Sequence, residues 1–358
     1  MHHRVLLTAT CLALTFHTSH ADPTSTGSNG SASELAFLPG IIRSIEAGEF
    51  GASPNDKQRA LRGAVNFFSP YPSGNGRSCA TCYNPDDGYS LSPATVEARW
   101  EQLQRARLTN PQAVDPLFRA INADDGREDF TRLRTRALVK VRVPLPERVR
   151  LTDTPNATEV EVWRAVPPLN MLEFTAPYQQ DRSIATLEAH TRAAVDAHLE
   201  PSAPPSQEYI ESIASPFDGS TNPRSLNVGV SNPLPQGMKA KVIHGPAFDL
   251  ATQRFTIELP AGKSVELTSS DPGTVLTDVH ALETVGGNQV FNRFDIPQLR
   301  GINRTAPYFH DHRARTLEDV VRHYQEFFLF INTVRGFPLP QIPDQDVEPI
   351  VAYMRKAF

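Results

Sequence analysis

The sequence predicts a mainly α protein in two domains, with long loops and a small β-hairpin insertion. Three observations carry that expectation. The chain of 358 residues is long enough for two hydrophobic cores. Its 31 prolines favour long ordered loops over long strands. Its longest apolar patterns repeat at helical spacing, and only one stretch reads as a hairpin. The formal net charge of −5 offers no basic face to nucleic acid.

The elements are taken in chain order. "MHHRVLLTATCLALTFHTSHA" has a basic start, an apolar run from Val5 to Phe16 and a small-x-small end at Ser19-His20-Ala21, the pattern of a secretory signal cut after Ala21. The run is too short to span a bilayer, and Thr10 before Cys11 departs from a lipoprotein signal. The expected location is the periplasm or the exterior, an oxidising place, where Cys79 and Cys82 are the cysteines that remain. Residues 22–40 read as a flexible polar leader.

From Asn55, "NDKQRALRGAVNFF" puts Leu61, Val65 and Phe68 on one helical face and breaks at Ser69-Pro70. The loop "SPYPSGNGRS" then delivers the cysteines. "SPATVEARWEQLQRARL" opens a helix with a Ser92 cap and Pro93 in the first turn. "ALVKVRVPLP" and "TEVEVWRAV" alternate like short strands. "TLEAHTRAAVDAHLE" is a helix with Leu187, Ala194 and Val195 inward. Residues 201–236, rich in Pro, Ser, Asn and Gly, read as an inter-domain linker. "RFTIELPAGKSVEL" is the hairpin. Two C-terminal helices close the chain, striped by Leu317, Val320, Val321, Tyr324 and Phe328 in one and by Val347, Ile350, Val351 and Met354 in the other. No internal repeat stands out in the residue pattern, and no membrane span is expected.

Within "GNGRSCATCYNPDDG", Cys79 and Cys82 have the C-x-x-C spacing of a haem c attachment site, but Tyr83 stands where the iron-binding His belongs. Two readings stay open: thioether bonds to a haem, or a short-loop disulfide. Two thiols are too few for a structural zinc, which takes four ligands.

Three stretches carry a family resemblance: "RGAVNFFSPYPSGNGRSCATCYNPDDGYS", "VWRAVPPLNMLEFTAPYQQDRSIATLEAHTRAAVDAHLE" and "FDIPQLRGINRTAPYFHDHRARTLEDVVRHY". With these the chain resembles the bacterial di-haem cytochrome c peroxidases and their MauG-like relatives over most of residues 40–358. The resemblance implies two cytochrome c-like domains, 41–200 and 237–358. It places haem attachment on Cys79 and Cys82, the axial iron position on Tyr83, a distal position on His190 and the acid–base carboxylate on Glu200. His190 or His198 is the next axial candidate should Tyr83 not bind. The bridging tryptophan falls on Gln180, the second distal ligand on Tyr324 and the calcium asparagine on Ala165, while Thr305 and Pro307 keep the carbonyls of a calcium loop. No cysteine occurs after Cys82, so a second thioether-bound haem has no attachment motif; "GSTNPRSLNVGVSN" resembles the segment that normally comes directly after that motif.

The expectation is a single-haem, peroxidase-type oxidoreductase that reduces hydrogen peroxide or performs a MauG-like oxidation, with electrons from a redox partner protein or small donor. The alternative is a haem-free pseudoenzyme that binds a partner. His190 and Glu200 lie about 15 Å apart along a helix, so a loop or helix break has to bring Glu200 closer. Among the other histidines, His310 is expected to pack, His312 to be exposed and His323 to face away from Tyr324. His198 and His244 have no supporting pattern.

Overall fold

The computed structural model describes residues 34–49, 53–169, 172, 176–180, 183–214, 250–259, 262–276, 294, 299, 301–330, 332–333 and 338–357. The expected signal sequence, residues 22–33 of the leader, residues 215–236 of the linker, the 219–232 stretch and His244 lie outside the described residues.

Helix α1 (Leu38–Ala47) leads to α2 (Pro54–Phe68), where Ser53 accepts a capping bond from Asp56 N–H at 3.1 Å. The helix is where the sequence puts it, but its inward face is rotated. Ala60, Gly63, Ala64, Phe67 and Phe68 are buried, while Leu61 and Val65 are exposed. Small residues let neighbouring helices approach closely, so they take the contact and the branched residues are turned out. Helix α3 (Pro93–Arg107) begins as expected, with Ser92 accepting from Thr95 N–H at 3.2 Å. Helix α4 (Thr131–Arg136) is a single short element before the first strand.

Strands β1 (Leu138–Pro144) and β3 (Glu159–Ala165) pair antiparallel, Leu138 opposite Ala165 and Val141 opposite Val162. Strand β2 (Val149–Leu151) lies between them in sequence but joins another sheet, ordered β2, β4 (Gln253–Glu258), β5 (Ser264–Ser269). The β4–β5 hairpin is therefore not an isolated insertion. Val149 opposes Ile257 and Leu151 opposes Phe255, and the inner faces of both sheets share one core with Val160, Val162 and Val275. Among the described residues 46% are helical and 14% lie in strands, which makes the fold mixed α/β and not mainly α. Alternating β-branched residues in 138–165 and 253–269 commit both segments to sheet, and pairing across the chain satisfies the backbone that a lone hairpin leaves open.

Helices α5 (Leu187–His198) and α6 (Gln207–Ala214) come next; α6 occupies part of the expected linker and packs against α2 and α5. Helices α7 (Leu317–Phe330) and α8 (Asp344–Ala357) form the C-terminal pair around Leu317, Val321, Val347 and Val351. No helix among the described residues is long and apolar enough to cross a membrane.

A repeat does exist. "TAPYQQDRSIATLE" from residue 175 and "TAPYFHDHRARTLE" from residue 305 share their spacing. Each has a cis Ala-Pro bond, at Ala176-Pro177 and Ala306-Pro307, and a left-handed residue two places on, Gln179 (φ 70°) and Phe309 (φ 71°). Each closes a bridge, Tyr178 to Ile184 and Tyr308 to Ala314. Each then caps a helix with threonine: Thr186 Oγ1 accepts from Ala189 N–H, and Thr316 Oγ1 accepts from Asp319 N–H. The two stretches also share Thr-Ala-Pro-Tyr, an Asp and Thr-Leu-Glu in register, while the helices that follow have diverged in side-chain bulk.

Candidate functional site

The repeat produces two cavities, one under each loop-and-helix unit. The first, of ≈ 330 Å³, is bounded by the turn that carries Cys79, Cys82 and Tyr83, by Val139, Val141 and Val143 of β1, and by α5. Residues two apart on a strand share one side, so β1 gives the cavity an apolar valine wall. Helix α5 faces it with His190, Ala193, Ala194, Ala197 and His198. The small alanines leave the space, and the two histidines stand at either end.

Buried polar groups fix the cysteine turn. Cys79–Thr81 is one turn of 3₁₀ helix with a capping box, in which Ser78 N–H donates to Thr81 Oγ1 at 2.9 Å. Arg99 Nη1 donates to the Thr81 carbonyl at 3.0 Å, and its other nitrogens reach Asp115 (2.6 and 3.0 Å) and Glu34 (3.1 Å). Glu34 also accepts from Ser78 Oγ at 2.7 Å. Arg77, fully buried, donates to the carbonyls of Pro116 (2.7 Å), Leu117 (3.2 Å) and His198 (3.3 Å). The preceding loop is pinned to the end of α5: Asn75 N–H donates to the Leu199 carbonyl at 2.8 Å, and Asn75 Nδ2 to that of His198 at 3.0 Å. The cysteine wall and the helix wall are thus tied together at one end.

Cys79 and Cys82 are not bonded to each other. Their accessible surface faces the cavity, deep in the protein, and burial pushes the Cys79 thiol up to about 12 and raises Cys82 and Tyr83 as well. All three are neutral at ordinary pH, so only a strongly electrophilic partner or metal draws out their reactivity. His190 and His198 are lowered by burial to about 4 and stand neutral, each with one lone pair to offer.

The structure brings Cys79, Cys82, Tyr83 and His190 to one cavity together with His198, which the sequence offered only as a fallback axial candidate with no pattern to support it. The signal was available in the helical spacing, because positions 190, 194, 197 and 198 share a face. Glu200 is not brought in. It sits past the end of α5, exposed, with φ 48°, and accepts from Asn75 Nδ2 at 3.1 Å. No break in the helix turns it toward the cavity, whose lining ends at Leu199.

The second cavity, of ≈ 570 Å³, lies against α7 and α8 and shares Ala165, Val166, Pro167 and Gln180 with the first as a common wall. Thr305, Pro307 and Tyr324 line it. Among the described residues no group of three or more His, Cys, Asp or Glu could hold a metal ion, so a calcium at Thr305 and Pro307 rests on their carbonyls. His312, expected on the surface, is only 4% exposed, and His323, expected to face away, is buried and lines this cavity beside Tyr324. The first expectation fails because the loop curls inward at its left-handed residues Phe309 and His312, a backbone feature that residue type does not announce; the second fails because the inward face of α7 is wide enough to take His323 together with Val320 and Tyr324.

The residues present fit a thioether-linked haem by their donors: two thiols and a phenol on one wall, an imidazole and an alanine strip on the other. No protein-family model matches the chain, and a search of curated proteins finds no match.

Proposed function

We propose that the chain is a secreted or periplasmic c-type haem protein that reduces hydrogen peroxide or performs a related oxidation, with a single haem held by Cys79 and Cys82 and Tyr83 at the iron. The observation that carries the reading is the convergence of these three residues and His190 on one largely apolar cavity. Cys79 and Cys82 would hold the haem, Tyr83 would offer its phenol oxygen to the iron, and the group would supply redox chemistry toward peroxide.

The protein's own groups do the rest. The two sulfurs fix position and orientation. The valines of β1 and the alanines of α5 give the cavity apolar walls. Neutral His190 takes a proton from one peroxide oxygen on its free ring nitrogen and returns it to the other. Glu200, outside the cavity, serves at most to hold Asn75 and so the pinned loop. The two electrons that accompany two protons in reducing peroxide to water come from a redox partner protein or a small donor.

A haem-free, partner-binding fold is the second reading, favoured by the packing of Tyr83, whose ring lies 6.3 Å from Phe67 between two hydrophobic clusters. One experiment separates the two. Protein matured with haem-attachment machinery is extracted with acid–acetone and its visible spectrum recorded. A surviving Soret band supports the first reading; a colourless protein without porphyrin mass supports the second.

A further inference from the structure

The second cavity is built for a ligand of different chemistry. Its lining is mostly aromatic and aliphatic, with Phe309, Tyr324, Phe327 and Met354 among it, and it contains no cysteine. Its volume of ≈ 570 Å³ is in the range of small-molecule sites, which combine apolar walls with a few polar groups that fix orientation.

His312 is such a group. Its Nδ1 lies 2.6 Å from the backbone carbonyl of Arg136. A carbonyl only accepts, so Nδ1 carries the proton and, in the neutral ring, Nε2 carries the lone pair. Burial keeps the ring neutral, lowering it to about 4. Among the described residues no hydrogen bond reaches Nε2, and His312 lines the cavity. The cation nearby is committed elsewhere: Arg313 Nε lies 2.8 Å from both oxygens of Asp311. An anionic ligand therefore finds a lone pair where it needs a donor or a positive charge.

We propose that this cavity binds a neutral hydroxylated aromatic molecule, a phenol of two or three rings, whose O–H donates to His312 Nε2 while its rings lie among Phe309, Tyr324 and Phe327. The site does not depend on a haem in the first cavity, and the two can be tested apart.

The test titrates the full mature chain with naphthol, naphthalene and naphthoate, following intrinsic fluorescence and calorimetry. Naphthol should bind about tenfold more tightly than naphthalene, the worth of one hydrogen bond from a desolvated site, and naphthoate more weakly than either. His312→Asn keeps a donor for the Arg136 carbonyl and tolerates φ 53°, and it should make naphthol and naphthalene equal. Val320→Trp fills the cavity and should abolish both; Ala194→Trp fills the first cavity and should change neither. Circular dichroism and thermal melting confirm that each variant is folded. Equal binding of naphthol and naphthalene by the unaltered protein overturns the proposal, as does loss of binding in Ala194→Trp. So does a haemin Soret band that responds to His312→Asn, because the cavity would then belong to a porphyrin.

Discussion

Gln180 Nε2 donates to the backbone carbonyl of Ala165 at 2.9 Å, and that bond spans the wall between the two cavities. Ala165 N–H continues it by donating to the His310 carbonyl at 2.6 Å. The partition is therefore a polar seam in an apolar setting. Its remaining Gln180 oxygen, Oε1, is buried with no hydrogen-bond partner among the described residues.

That seam gives a paired prediction. Gln180→Ala removes the bond and opens the partition, and should cost about 1–3 kcal/mol. Gln180→Leu refills the space and removes the unpaired oxygen along with the bond, so it should stay within about 1 kcal/mol of the original. Urea unfolding of both variants measures the difference; equal losses would contradict the seam.

Arg99 is the keystone of the cysteine turn. Its partners Glu34 and Asp115 have side chains only 3% and 8% exposed. Burial raises the Glu34 carboxyl, and Arg99 opposes that rise. Arg99→Ala strands two carboxylates in the interior and should destabilise by about 3–5 kcal/mol. Chemical denaturation reads the loss; a change under about 1 kcal/mol would mean the pair is dispensable.

Gly74 has no room for a side chain. A Cβ there would lie 2.6 Å from the Leu199 carbonyl oxygen, which belongs to the backbone and cannot swing away. Gly74→Ala should cost about 1–3 kcal/mol and loosen the cysteine wall from α5. The labelling rate of Cys79 and Cys82 by a thiol reagent, slow while both are half-buried and protonated, should rise in the variant.

Stability should fall on mild acidification. His190, His198, His310 and His312 are each lowered from 6.5 to about 4, by burial first. Between those values the unfolded chain binds more protons than the folded one, so stability is complete above 6.5 and is lost as the pH drops toward 4. For His312, 4% exposed, the loss is about 3 kcal/mol. Urea midpoints at pH 7 and pH 4.5 test this, and His312→Asn should flatten part of the slope.

If Tyr83 binds iron in the haem-loaded protein, Tyr83→His should move the visible spectrum to that of a histidine-ligated haem, with thioether attachment retained. Cys79→Ser with Cys82→Ser should release the pigment to acid–acetone. A Tyr83→His spectrum identical to the original would remove Tyr83 from the iron.

Local patterns read well from the sequence because local rules made them. The Ser92 cap, the alternating strands at 138–144 and 159–165, the 253–269 hairpin and the helices ending the chain all stand as the residues foretold. The rotation of α2 did not, because ranking residues by hydrophobicity favours Leu61 and Val65 over the alanines that permit close packing. Nor did the sheet content: β2 is three residues long, and its partner β4 lies about a hundred residues further along the chain.

The sequence by itself determined the donor set of Cys79, Cys82 and Tyr83, the absence of any later cysteine, and the helix that presents His190. Only the tertiary structure decided that His198 faces the same cavity, that Glu200 does not, that His312 turns inward, and that two cavities share the Gln180 wall. The physical reason is one of range. Residue type and spacing set hydrogen bonds within a turn or strand, whereas the direction a side chain takes into a cavity depends on backbone angles and packing between segments far apart in the chain.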